Sequence, residues 1–523
     1  MDLSDANLYS LLRGRFPTDL DTTAIETPAG LYYTWRDLER ASGRVANWLA
    51  SLGIAPGARV AVQVEKSPEV LMLYLACLRA GLVYVPLNTA YQRGELEYFL
   101  SDAQPALVVC DPAREAEIAP LARAAGARIA TLGESRDGSL LAQAASHPDE
   151  FAIVARGPDD LAAILYTSGT TGRSKGAMLS HRNLSANALA LDETWGFSAE
   201  RAAGRRDVLL HALPIFHVHG LFVATHAAWL AGARMIFLPR FEAAAVLARL
   251  REATVFMGVP THYTRLLAEP GLDAAACAGV RLFVSGSAPL LAETFRDFAT
   301  RTGHTILERY GMSETVMLVS NPYFGPASAR VPGTVGRPLP GVQVRVVQED
   351  GRPCDLGEIG QVQVRGPNVF SGYWRMPEKT AEEFTADGWF RTGDVGRFGG
   401  AGVPDDYLSL VGRSKDLIIT GGLNVYPKEI EGWIDEMPGV VESAVIGLPH
   451  PDFGEAVAAV VVVRRAGAID SARLVATLKE RIANFKVPKR VFVVEDLPRN
   501  TMGKVQKNVL RERYKNTFMP PAR

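Results

Sequence analysis

From Thr34 to Val284, apolar runs of strand length alternate with stretches whose apolar residues recur at helical spacing. This alternation constrains the fold most, because parallel strands need long crossovers and helices usually supply them. Leu38, Ala41, Val45, Trp48 and Leu49 mark a helix over 34–52. Residues 59–64 alternate as a strand, Pro68 opens an apolar helix over 70–80, and 82–85, 95–100 and 106–109 continue as strand, helix and strand. Residues 133–160 lack the rhythm. It returns as strands at 208–211, 234–238, 254–259 and 281–284, with helices near 218–231, 242–252 and 260–268. Between Val335 and Leu410, short alternating runs broken by Gly and Pro predict a β-rich subdomain. The expected class is α/β. A large N-terminal domain, residues 1–412, holds α/β subdomains and the β-rich one, and a small mobile α+β domain follows over 413–523.

A chain of 523 residues exceeds one hydrophobic core, in keeping with several domains. The net charge of −1 argues against a general nucleic-acid binder. From Phe485 onward, ten Lys/Arg face three Asp/Glu, a tail suited to a solvated surface or to drawing in polyphosphate. Cys77, Cys110, Cys277 and Cys354 lie far apart, which predicts a reducing compartment and no metal knuckle. The N-terminus is acidic without a signal core, and no apolar run approaches the ~20 residues that span a bilayer. A cytoplasmic protein is expected.

The chemistry concentrates in a few segments. Tyr166-Thr-Ser-Gly-Thr-Thr-Gly-Arg-Ser-Lys-Gly176 follows the apolar run 161–165 and precedes a helix that Ser180 can cap. Gly169 and Gly172 let the backbone approach a ligand, and Thr167, Ser168, Thr170 and Thr171 offer hydroxyls to phosphate oxygens. Arg173 or Lys175 offsets their charge. Lys175 precedes Gly176, not Ser or Thr, so this is no Walker loop. In Tyr310-Gly-Met-Ser-Glu314 an aromatic ring can stack on a base, and Glu314 can hold Mg²⁺ against phosphates. In Trp389-Phe-Arg-Thr-Gly-Asp394 the carboxylate suits a diol. Ser285-Gly-Ser-Ala-Pro289 ends a strand, and Pro214-Ile-Phe-His-Val-His-Gly220 carries two histidines. Leu497-Pro-Arg-Asn-Thr-Met-Gly-Lys504 places a lysine after proline and glycine. Each segment alone also reads as an ordinary turn or core element.

Together and in this order they resemble the signatures of the acyl- and aryl-CoA synthetase superfamily, the adenylate-forming ligases. Ser174 stands where that family usually has proline, and Ser313 where it has threonine. The resemblance implies ATP and CoA as co-substrates and Mg²⁺ as cofactor. It implies an ATP/AMP site of Thr167, Ser168, Gly169, Thr170, Thr171, Gly172, Lys175, Ser287, Ala288, Glu308, Tyr310, Gly311, Met312, Ser313, Asp394 and Arg413. Lys504, Glu314 and Thr167 would be catalytic, Lys415 the hinge, and Gly421, Gly422 and Leu423 the loop facing CoA. Gly303-His-Thr-Ile-Leu-Glu-Arg-Tyr-Gly-Met312 looks like the malonyl-CoA synthetase branch. Arginine is costly in a pocket for a plain acyl chain, and its fork matches a carboxylate. Arg265 and Arg309, with His217 and Ser285, would then hold the second carboxylate of malonate. Pairing of the arginines with local acids such as Glu308 is the alternative.

A short-chain or aromatic acyl-CoA ligase is the rival within the family, and a non-catalytic nucleotide-binding regulator the rival outside it. With 19 residues after Lys504, an adenylation domain carrying a carrier module is not expected. Lys504 follows the polar stretch Asn500–Gly503, read as an exposed loop. A lysine acetyltransferase and its deacetylase would there be partners, because acetylation removes the ammonium charge.

Overall fold

The computed structural model describes residues 6–167, 174–420, 423–465, 469–500 and 503–519. Four sheets organise them. The largest has nine strands, and its central five run parallel: Leu307–Tyr310, Leu282–Ser285, Val255–Gly258, Val208–His211 and Arg234–Phe237. Their carboxyl ends share one edge, which is where open α/β sheets bind ligands. The second sheet has six strands ordered Arg128–Thr131, Leu107–Cys110, Arg59–Gln63, Val83–Pro86, Leu161–Thr167 and Lys175–Ser180. The expected α/β alternation is therefore present as two sheets.

The helix Pro68–Arg79 lies between them, and all of its residues are buried. Its sequence is apolar all round because no face meets water. The Tyr74 hydroxyl lies 3.0 Å from Nε2 of His226, a polar contact inside this core. The helix Trp35–Ser51 packs on it through an apolar stripe and starts with a capping box from Thr34 and Asp37.

Three local features differ from the sequence expectation. The phosphate-type segment does not run directly into a helix. Lys175–Ser180 returns antiparallel to Leu161–Thr167, and only then does Ser180 cap His181–Thr194. The helix near 218–231 begins with a π-helical stretch, His219–Thr225, a form frequent at functional sites. The sequence places a strand ahead of Gly311 at 305–307, and the structure has it at Leu307–Tyr310. Its polar residues are all buried, so apolar patterning gives no sign of it.

The β-rich part is a four-stranded antiparallel sheet, Gln343–Val347, Gly360–Arg365, Phe390–Phe398 and Leu408–Arg413. A short 3₁₀ turn, Ser414–Asp416, leads into the five-stranded C-terminal sheet. Among the described residues no helix is long and apolar enough to cross a membrane.

In the C-terminal unit the helix Pro427–Asp435 buries Asp435, which accepts a hydrogen bond from the Ser443 hydroxyl at 2.7 Å. Burial, with Glu431 and Glu442 nearby, pushes its carboxyl up to about 7 against the pull of Lys428 and Ser443. Between the ordinary carboxylate range and pH 7 the folded chain then keeps a proton that the unfolded chain releases. Stability from this group is present at acid pH and lost as pH rises through about 7. Asp435→Asn should raise stability by about 1–3 kcal/mol at pH 8 and much less at pH 5. Urea unfolding at the two pH values reads this, and an equal gain at both would show that Asp435 is ionised throughout.

Candidate active site

The carboxyl edge of the large sheet faces the β-rich subdomain, and the sequence-derived residues gather there. Tyr310 ends its strand with the ring buried, and its hydroxyl donates to Asp394. Asp394 pairs with Arg413 at 3.1 Å, and the two face each other across adjacent strands. The sequence reading used the Tyr310 ring; the structure adds the hydroxyl as the group that holds the diol-type carboxylate.

Glu314 is buried and accepts a hydrogen bond from the Tyr373 hydroxyl at 3.0 Å. Burial raises its carboxyl pKa, with Arg413 and Lys175 only partly offsetting. Lys175 lies over the Tyr373 ring at 4.4 Å and pairs with Glu383 at 3.0 Å. Among the described residues no three potential metal ligands converge. A desolvated carboxylate without a cation of its own fits Mg²⁺ held by one protein ligand and phosphate oxygens. Tyr373 and Glu383 were missed from sequence, because no motif spacing connects them to Lys175 or Glu314. Thr167 bonds the Lys175 carbonyl at 3.4 Å. Ser168, Gly169, Thr170, Thr171, Gly172 and Arg173 lie outside the described residues, as do Gly421 and Gly422. Leu423 is exposed.

Backbone strain marks this edge. Ser287 has φ 71° and Val316 has φ 56°, and a β-branched residue rarely adopts the latter. Such outliers cost roughly 1–3 kcal/mol and cluster at functional sites. Ser287 sits beside Ala288 in the loop after Leu282–Ser285, with its hydroxyl 3.3 Å from Nδ1 of His219. Gly311, Met312 and Ser313 are half-buried between Tyr310 and Glu314.

Glu308 and Arg309, adjacent on one strand, point to opposite faces. Glu308 accepts from the Leu290 and Gly333 amides at 3.4 and 3.3 Å, which ties two loops together. Burial pushes its carboxyl up to about 7. The local ion pair between Glu308 and Arg309 does not form. Arg309 is 5% exposed, and its Nε and Nη2 find no partner among the described residues. It lies against the Gly286 backbone, where an added Cβ would come within 2.3 Å of Cζ.

Nearby, further buried polar atoms have no partner among the described residues: Nε2 of His219, Oγ of Ser285 and Nδ1 of His262. His217 accepts from the His219 amide at 3.4 Å. Burial first, and then Arg309, holds His217 down to about 4. The same two causes keep His219 neutral. His262 stacks on Phe241 at 3.8 Å and is held down to about 3 by burial, Arg265 and Lys66. His262 was missed from sequence, because a lone histidine on a helix carries no motif spacing. Arg265, three residues on, is exposed on the same helix and lies outside the buried group.

Lys504 is half-buried, not exposed as its polar loop suggested. Burial and Arg413 lower its ammonium to about 8, against the pull of Asp394 and Asp416. Its loop is fixed by Asn500, whose amide donates to the Lys504 carbonyl at 2.9 Å while its side chain accepts from the Lys504 amide at 3.0 Å. Arg499 donates to the Gly503 carbonyl at 2.7 Å and pairs with Glu442. Burial first, then Arg413 and Lys504, lowers Lys415 to about 8.

This layout, two α/β sheets and a β-rich unit with a small C-terminal domain bringing a lysine to their shared edge, is that of an adenylate-forming enzyme. Residues 17–374 match the model for the AMP-binding enzyme family and 429–504 that for the AMP-binding enzyme C-terminal domain, and the chain belongs to this family. It is 35% identical over 497 residues to a malonate–CoA ligase of Arabidopsis thaliana, covering 89% of this chain and 79% of that one. It is 37% identical over 491 residues to a feruloyl-CoA synthase of Amycolatopsis sp, covering 93% and 94%. The crystal structure of ATP-bound MatB from Rhodopseudomonas palustris is 55% identical and superimposes with a TM-score of 0.94 over 98% of this chain and 100% of that one. Its apo form gives 0.84 with the same coverage. The arrangement of this chain is thus nearer the ATP-bound form.

An uncompensated guanidinium packed on Gly286 should bind a small anion. Gly286→Ala puts a methyl group where the fork lies, and the long side chain can swing away, so the fold should survive. Thermal stabilisation by malonate should fall by about tenfold in apparent affinity, with Tm otherwise within a few degrees. Undiminished malonate binding would show that the fork does not hold the anion.

Proposed function

We propose that the chain is an AMP-forming malonate–CoA ligase. Malonate and ATP give malonyl-AMP and pyrophosphate, and CoA then gives malonyl-CoA and AMP. The observation that supports this substrate is Arg309, buried without a partner among the described residues and ringed by orphaned polar atoms. A pocket for a plain acyl chain gains nothing from a desolvated cation, whereas a second carboxylate neutralises it. Arg265, from the exposed end of its helix, is proposed to reach the same carboxylate at the rim, with His217 and Ser285 completing the set.

In the first step one malonate oxygen attacks the α-phosphorus and pyrophosphate leaves. Lys504, beside Asp394 and Arg413, carries the charge that neutralises the attacked phosphate. Lys175 exchanges Glu383 for the phosphates, with the hydroxyls and amides of 167–172 around them. Tyr310, Ser287, Ala288, Glu308, Gly311, Met312 and Ser313 frame the adenine, and Asp394 and Arg413 take the ribose. Glu314 would hold Mg²⁺, which supplies positive charge against the phosphates. In the second step the CoA sulfur attacks the acyl carbonyl and AMP departs.

One pocket must serve both partners. We infer that 413–523 turns about Lys415, withdrawing Lys504 and bringing Gly421, Gly422 and Leu423 toward CoA. Contacts such as the Arg464–Glu293 pair are exposed, which makes such a turn cheap. The half-buried Lys504 would become reachable by an acetyltransferase or deacetylase only after the turn. All four cysteines are free, in keeping with a cytoplasmic setting.

Turnover with malonate against acetate, butyrate and cinnamate tests the substrate, and preference for an uncharged-tail acid would overturn it. Arg309→Met should cost malonate roughly 3–5 kcal/mol, about two to three orders of magnitude in kcat/KM. Acetate should lose far less, and Arg265→Ala should cost malonate less than Arg309→Met. Equal losses for both acids would make Arg309 structural.

Lys504→Ala should fail to form acyl-AMP yet convert synthetic malonyl-AMP and CoA to thioester at near-normal rate. Loss of both half-reactions would defeat the turning model.

A further inference from the structure

Lys66 is buried between the two sheets, against the ends of two parallel strands of the larger one. Its Nζ donates to the carbonyls of His211 and Leu238 at 2.9 and 2.7 Å and contacts Nδ1 of His211 at 2.9 Å. It lies 4.2 Å from the Phe237 ring centre, a favourable place for a cation. On the far side of the imidazole, Nε2 of His211 lies 3.0 Å from the Gly220 carbonyl and 3.2 Å from Oγ1 of Thr225. Thr225 sends its only hydroxyl hydrogen to that same carbonyl at 2.8 Å, so both atoms facing Nε2 present lone pairs.

Nε2 must therefore carry a hydrogen. The contact between Nζ and Nδ1 then needs one more proton, on the lysine or on the imidazole. Any neutral arrangement sets lone pair against lone pair at the short contact or at a carbonyl. Burial, the largest influence on both groups, pushes each toward its neutral form, and these contacts hold one positive charge on the pair against it. His262 and His219, at the anion pocket, both lie within its electrostatic reach. No carboxylate is among the groups acting on Lys66, His211, His217, His262 or Arg309. Gly220, which the pair grips, directly follows His219, and a Cβ there would come within 2.0 Å of the Pro214 carbonyl.

We propose that the Lys66–His211 pair is a specificity determinant, a second buried positive charge beside the anion pocket's histidines that favours a doubly charged acid over a singly charged one of the same shape. It rests on the dicarboxylate reading given above. Lys66 touches no reacting atom and acts through the field it sets and through its hold on the turn carrying His219.

The test compares malonate with malonamate, its half-amide, which has the same shape and lacks the distal charge. In Lys66→Gln the amide can still reach the two carbonyls without a charge. The preference for malonate in kcat/KM should fall by about tenfold, a screened charge–charge effect, while malonamate loses far less. Equal losses for both acids would overturn the proposal. A wild type that shows no preference for malonate would sink the dicarboxylate reading instead. If Lys66→Gln does not fold, ¹⁵N NMR of the Lys66 amine and the His211 ring in the wild type decides. One shared positive charge at pH 7 upholds the proposal, and a neutral pair overturns it.

Discussion

Buried positive charge without a buried counter-charge governs this structure. Desolvating a guanidinium or an ammonium is expensive, and a fold keeps such a group only where something repays it. Arg309 and Lys66 sit at the carboxyl edge of the central parallel strands, where strand carbonyls point outward. Lys66 spends its hydrogens on two of those carbonyls, which settles its cost locally. Arg309 has no such settlement at Nε and Nη2. The neutral histidines around it follow from the same charge, since burial and Arg309 together keep protons off His217 and His219. The pocket thus couples one buried cation to neutral imidazoles.

The α/β alternation and the chemical segments were legible because each has a local signature. Period marks the helix over Trp35–Ser51, and glycine, hydroxyl and lysine mark the phosphate-type loop. The return strand Lys175–Ser180 was not legible, because its apolar residues look like the lead-in to the helix they precede. Leu307–Tyr310 was misplaced because its central residues are charged yet buried. Pairings across the chain were hidden altogether. Glu383 and Lys175 are 208 positions apart, and Lys66 and His211 are 145 apart, so no window of sequence contains either pair. Arg265 was singled out by residue type, yet helical geometry leaves it exposed while His262 on the same helix turns in.

Lys504 is held in register by contacts within its own domain. Asn500 closes the turn on itself, and Arg499 anchors it to Glu442 within the same domain. In the proposed turn these ties would carry Lys504 along with its domain. The geometry at the site depends on where the domain sits, not on how the loop folds.

In the proposed reaction, the ion pair between Lys175 and Glu383 would have a kinetic consequence. A lysine that waits beside a carboxylate and over an aromatic ring does not greet incoming phosphate as a free cation. Entry becomes a partner exchange, in which part of the attraction to phosphate is offset by the pair given up. The reverse exchange helps at the other end of the cycle. As pyrophosphate loosens, Glu383 competes for the ammonium and shortens the residence of a product that would otherwise cling to the loop. Weaker grip at entry and faster clearance at exit are two readings of one carboxylate.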